Sequence, residues 1–67
     1  MDIGYNISKY RKLNNLSQEE FAFRTNVSKQ TIYKWENGIS IPNCDKVYII
    51  CKVLNIKYDN LFEENDT

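Results

Sequence analysis

Leu16-Ser17-Gln18-Glu19-Glu20-Phe21-Ala22, followed by Val27-Ser28-Lys29-Gln30-Thr31-Ile32-Tyr33-Lys34-Trp35-Glu36-Asn37-Gly38, decides the fold. Ser17 and Glu20 have the spacing of a capping box, in which the hydroxyl accepts from the Glu20 amide while the carboxylate reaches back. Leu16 and Phe21 flank that cap as a hydrophobic staple. A helix is therefore predicted from about residue 18, burying Phe21 and Ala22 and leaving Phe23 off the buried side. Asn26 tolerates the left-handed conformation that ends helices. Ser28 then caps a second helix, which stops at Asn37-Gly38. Only about three residues separate the two helices, the spacing of two short helices that cross.

Upstream, Ile3, Ile7, Tyr10 and Leu13 recur at helical spacing, with Lys9, Arg11 and Lys12 between them. Downstream, Ile39 to Pro42 reads as an extended connector. Asn43 caps a helix whose core stripe is Val47, Ile50, Cys51 and Leu54, and Asn55 ends it. Ile56, Tyr58, Leu61 and Phe62 suggest a last short helix. Strand signals are poor: alternation is brief and no turn dipeptide sits between alternating apolar runs. The expected fold is all-α, one compact five-helix domain. Its helices span about 3–14, 18–25, 29–37, 43–54 and 58–63, and an acidic frayed tail follows at 64–67.

Sixty-seven residues make one small domain, which buries only about 60% of the surface its unfolded chain exposes. That excludes a two-domain enzyme, a dinucleotide fold or a β/α barrel. With 42% hydrophobic and 27% charged residues, the chain has ordinary globular usage rather than that of a disordered segment. No apolar run is long enough to cross a bilayer and no basic-then-apolar leader is present, so a cytoplasmic location is expected. The absence of histidine removes the commonest metal ligand and general base. No phosphate loop or plausible carboxylate pair replaces it, so the chain is not expected to be an enzyme. Cys44 and Cys51 would lie about 10.5 Å apart along one helix, beyond disulfide reach. They read as small apolar residues in a reducing compartment. No metal, cofactor or small-molecule ligand is expected.

Formal charge is zero, which argues against strong nonspecific polyanion binding. The balance hides an asymmetry. Asp59, Glu63, Glu64 and Asp66 stand in the last ten residues with no base among them. Lys9, Arg11, Lys12, Arg24, Lys29 and Lys34 fill the first half, opposed there only by Asp2, Glu19 and Glu20. A basic front and an acidic tail suit a nucleic-acid face pointing away from the C-terminus.

The quoted stretch, continued to Pro42, resembles the Cro/lambda-repressor-like helix-turn-helix family over about residues 3 to 62. Two positions depart from the family pattern. Thr25 stands where a leucine is usual, and Asn26 where glycine is usual; Thr25 is expected to loosen the packing between the second and third helices. The third helix places Ile32 and Trp35 on one side and Lys29, Gln30, Tyr33 and Lys34 on the other. The latter are long, donor-rich side chains of the kind a major groove requires. Gln30 can pair with an adenine edge and a lysine with guanine. The resemblance implies that Lys29, Gln30, Tyr33 and Lys34 read bases. It also implies that Gln18, Ser28, Thr31 and Asn37 hold phosphates, Gln18 beside the free amides of a helix N-terminus. Arg11 on the first helix is implied to pair with Glu36 as a structural ion pair.

Ile49, Val53, Tyr58, Leu61 and Phe62 form a possible dimer patch. One short helix reads few base pairs, whereas a two-fold pair reads both halves of a palindrome. The expected function is a homodimeric regulator of transcription, a repressor, bound to double-stranded DNA. The alternative is a protein-interaction module of the same fold, such as an antitoxin-type or polymerase-binding partner.

Overall fold

Ser17, Ser28 and Asn43 each turn a side-chain oxygen onto the amide three residues on, at 3.0, 3.1 and 3.0 Å, and helices begin at these points. In the computed structural model, which describes residues 2–65, the elements are α1 (Ile3–Leu13), α2 (Gln18–Thr25), α3 (Lys29–Glu36), α4 (Cys44–Leu54) and α5 (Tyr58–Leu61). No strand occurs among the described residues. Only half of the capping box forms. The Glu20 carboxylate reaches forward instead, to Arg24 Nε at 2.9 Å.

Four helices end by one device. Asn15, Asn26, Gly38 and Asn55 are left-handed, with φ of 58, 62, 71 and 57°. The next amide in each case donates to the carbonyl five residues back: Leu16 to Arg11, Val27 to Ala22, Ile39 to Lys34, Ile56 to Cys51. Asparagine fills three of these positions because its short polar side chain tolerates the conformation.

Ile7, Phe21, Ala22, Ile32, Trp35, Ile50, Cys51, Leu54 and Leu61 form the core. The centre of the domain is α1 and α2 packed against α3, with α4 beneath α2 and α5 against α1 and α4. Leu13 does not join the core; it ends α1 at 69% exposure. Thr25 does not leave a loose joint. It is fully buried, and its hydroxyl donates to the Phe21 carbonyl at 2.7 Å, so the polar atom is satisfied within α2. Gly4 lets α1 lie directly on the end of α3: a Cβ there would run into the Trp35 carbonyl oxygen.

The chain's end is tied to α1. Asn6, fully buried, donates to the Leu61 and Glu63 carbonyls at 2.8 and 2.9 Å and accepts from Asn65 Nδ2 at 2.6 Å. Glu63 accepts from Lys9 Nζ at 2.8 Å and from the Tyr10 hydroxyl at 2.6 Å. Those contacts draw the Glu63 carboxyl below its usual range and push Lys9 and Tyr10 above theirs. The expected frayed tail therefore fails at Asn65, which is held in place; Asp66 and Thr67 lie outside the described residues. α5 closes after Leu61, shorter than expected.

Candidate nucleic-acid interface

Ser28 aims α3, and the helical period divides its side chains. Ile32 and Trp35 are 0% and 5% exposed, so the helix is anchored along one side. Lys29, Gln30, Tyr33 and Lys34 are all exposed on the other, and none of the described residues covers them. Among the described residues, neither lysine has an ion-pair partner. Their ammonium groups are free to meet an acceptor outside the protein.

Flanking this row are donors with hydrogen to spare. The Ser28 and Thr31 hydroxyls lie 2.9 Å apart, so one donates to the other and one O–H remains. Asn37 uses one N–H on the Tyr33 carbonyl at 2.8 Å and keeps the second. Gln18, the first residue of α2, is half-buried, and its Nε2 donates to Glu36 Oε1 at 3.0 Å. Sequence spacing gives no sign of that contact, because the two residues stand on different helices, 18 positions apart.

Behind the surface, Arg11 takes Glu36 in a two-pronged grip, Nε to Oε2 at 2.6 Å and Nη2 to Oε1 at 3.2 Å. Its remaining nitrogen, Nη1, donates to the Leu16 carbonyl at 2.8 Å. The two side chains are 10% and 6% exposed. One buried guanidinium thus joins α1, the entry to α2 and the end of α3.

The basic front is smaller than the residue count suggested. Arg11, Arg24 and Lys9 are matched by Glu36, Glu20 and Glu63. Lys12, Lys29 and Lys34 remain unpaired among the described residues. Two of these three unpaired lysines stand on the exposed side of α3 and the third on α1, a local arrangement that the zero net charge does not reveal.

The anticipated dimer patch does not hold together as drawn. Leu61 is completely buried and belongs to the core. Ile49 and Val53 are half-buried on α4, Val53 packed against the core. Tyr58 and Phe62 instead line an apolar groove of about 310 Å³ with Ile3, Ile41, Pro42, Cys44 and Val47. Ile39 and Ile41, in the connector after α3, are 63% and 73% exposed. Cys44 is exposed and Cys51 buried, both as free thiols, and burial pushes the Cys51 thiol up.

Two short helices joined at Asn26–Ser28, the second presenting a polar, cationic side above an apolar anchor, define a helix-turn-helix domain. The helix-turn-helix family signature matches residues 7–61, and the chain belongs to that family, in its Cro/lambda-repressor-like branch. Among proteins of known role it is 35% identical over 63 residues to the antitoxin PezA of Streptococcus pneumoniae, covering 94% of this chain and 40% of that protein. It is 37% identical over 57 residues to an uncharacterised HTH-type transcriptional regulator of Methanocaldococcus jannaschii, covering 85% and 86%. The P22 c2 repressor in complex with a synthetic operator superposes with a TM-score of 0.87 at 25% identity, covering 97% of this chain and 98% of that one. SinR, a master regulator of biofilm formation in complex with DNA, superposes with a TM-score of 0.84 at 26% identity, covering 91% and 98%. The chain thus spans less than half of the pneumococcal antitoxin and nearly all of the two structural neighbours. No helix among the described residues is long and apolar enough to cross a membrane.

Proposed function

We propose that this chain is a sequence-specific regulator of transcription, acting as a repressor, that lays α3 in the major groove of a palindromic DNA operator. One observation carries the reading: Lys29, Gln30, Tyr33 and Lys34 share an uncovered side of a helix whose opposite side is locked into the core. In this reading these four contact base edges, and each good contact discriminates by about 1–3 kcal/mol. Gln18, Ser28, Thr31 and Asn37 hold the flanking phosphates, which sets register without reading sequence. Arg11 and Glu36 keep the helices at the angle this requires. The P22 c2 and SinR complexes support the reading through their shared fold.

A second copy of the chain belongs to the proposal. The apolar groove around Ile41, Tyr58 and Phe62 offers a surface on which such a pair would form. The protein would work in the cytoplasm, with no cofactor and no small-molecule ligand. Selection from a randomised duplex library tests the whole reading. The expected product is a two-fold site with half-sites about one helical turn apart. Its affinity should fall steeply with salt, since released counterions set that slope. Recovery of no preferred sequence would sink the proposal.

The likeness to the antitoxin PezA favours a second reading, in which the fold chiefly holds a protein partner and touches DNA secondarily. Binding to a partner that is insensitive to salt, with weak and unselective duplex affinity, would decide for it.

A further inference from the structure

Glu36 accepts from three donors on one buried carboxylate, two from Arg11 and a third from outside that ion pair. Arg11 gives one hydrogen bond to each oxygen and leaves a lone pair on both. Gln18 Nε2 adds a hydrogen bond to Oε1 at 3.0 Å, from the first residue of a different helix. We propose that Glu36 is a positioning residue for DNA contact: it orients the Gln18 carboxamide so that the amide's second N–H meets a phosphate. The inference rests on the DNA-binding reading above and deepens it.

The physical argument turns on the amide's near-symmetry. The nitrogen and oxygen ends of a glutamine side chain have almost the same shape, so neighbours choose between them by charge. Opposite a carboxylate the oxygen is repelled and the nitrogen is drawn in. Only one of the two N–H groups on that nitrogen is needed to bond Glu36. Gln18 also opens α2, where its own amide and that of Glu19 have no partner within the helix, the Glu20 amide being held by Ser17 Oγ. A phosphate arriving there would meet donors that are already aligned.

Arg11 makes the arrangement tolerable. An unneutralised carboxylate behind the site would repel the phosphate, and the two-pronged guanidinium cancels its charge. Glu36 can then direct Gln18 without opposing the ligand.

The test is a double-mutant cycle on the duplex selected for the wild-type chain, with thermal unfolding recorded for every variant. Gln18→Ala should weaken binding about tenfold, the size expected for a lost hydrogen bond to a charged group. Glu36→Asp keeps a charge opposite Arg11 but withdraws it by one methylene. It should weaken binding about threefold to tenfold where Gln18 is present and less than twofold in the Gln18→Ala background. Glu36→Gln, if it stays folded, should behave likewise. The Gln18 side-chain amide resonances, assigned in the free wild-type protein, should move on Glu36→Asp and again on adding duplex.

Equal losses in both backgrounds, or no loss at all, would reduce Glu36 to a scaffold and overturn the inference. Tighter binding on Glu36→Asp would overturn it too, showing that the carboxylate holds Gln18 back. These outcomes are separable from failure of the parent reading, in which the wild-type chain itself would select no duplex.

Discussion

Arg11 closes on both carboxylate oxygens of Glu36, at 2.6 and 3.2 Å, across 25 residues of sequence and almost out of reach of water. A buried pair of this kind contributes little net stability relative to a well-packed apolar pair, yet it is costly to break from one side. Arg11→Ala should therefore cost about 3–5 kcal/mol, because Glu36 is left buried with only the Gln18 amide. Replacing both, as Arg11→Met with Glu36→Leu, should cost much less than Arg11→Ala. Chemical denaturation of the single and double variants measures the difference. A double variant as unstable as the single would show that α3 is held by something other than charge pairing.

Gly4→Ala separates local from tertiary preference. In an isolated helix alanine is favoured over glycine by about 1 kcal/mol. Here the added Cβ would collide with the Trp35 carbonyl oxygen and crowd that of Glu36, both rigid backbone atoms. α1 must then move off α3, a strain of about 1–3 kcal/mol that outweighs the helix gain. Net destabilisation is expected, with weaker duplex binding, since α3 loses part of its backing. Thermal unfolding and a binding titration check the two effects. A stabilised variant would show that α1 can slide without penalty.

The pH dependence follows from Glu63. Its carboxyl is held below its ordinary value near 4.5 chiefly by the hydrogen bond from Lys9, then by that from Tyr10. A depressed carboxyl contributes stability that is present above the unfolded value and disappears as pH falls through the lower folded one. Lys9 and Tyr10 are raised above 10.5 and 10.0, so their share is present below those values and disappears on further alkalinisation. Glu63→Gln should thus unfold at a lower temperature than the wild type between about pH 5 and 9, with the gap narrowing toward pH 3. Melting curves at stepped pH read this directly. A gap unchanged at pH 3 would assign the effect to shape rather than charge.

What could be read from the sequence was local. Ser17, Ser28 and Asn43 act on amides three residues away, and Asn26, Gly38 and Asn55 act on their own backbone, so each announces itself without knowledge of the fold. Ile32 and Trp35 against Lys29, Gln30, Tyr33 and Lys34 followed from one helical period. Asn6 could not be found that way. Its partners are the Leu61 and Glu63 carbonyls, 55 and 57 residues on, and an asparagine within an amphipathic helix normally faces water. Gly4 left a faint signal, because a glycine inside a helical pattern often marks close packing. Leu61 lies in the core rather than in a surface patch, and its sequence context could not show this: a four-residue helix is about one turn, too short for its period to define a face. The Gln18–Glu36 contact joins two helix ends that only the crossing of α2 and α3 brings together.

Lys34 offers the sharpest test of how α3 is used. It is exposed near the end of the helix, without an ion-pair partner among the described residues, on the same side as Lys29 and Gln30. As a base-reading residue it should lose about 1–3 kcal/mol of discrimination on Lys34→Ala, five- to more than a hundredfold, at a single base step. As a phosphate contact it would instead weaken all sequences alike and lower the salt slope by about one. Repeating the duplex selection with the variant, and titrating the wild-type site at several salt concentrations, separates the two. Relaxed preference at one position in each half-site is the expected result. Uniform weakening would move Lys34 to the backbone contacts and leave Lys29 and Gln30 as the readers, while unchanged selectivity and affinity would leave it an ordinary solvated lysine.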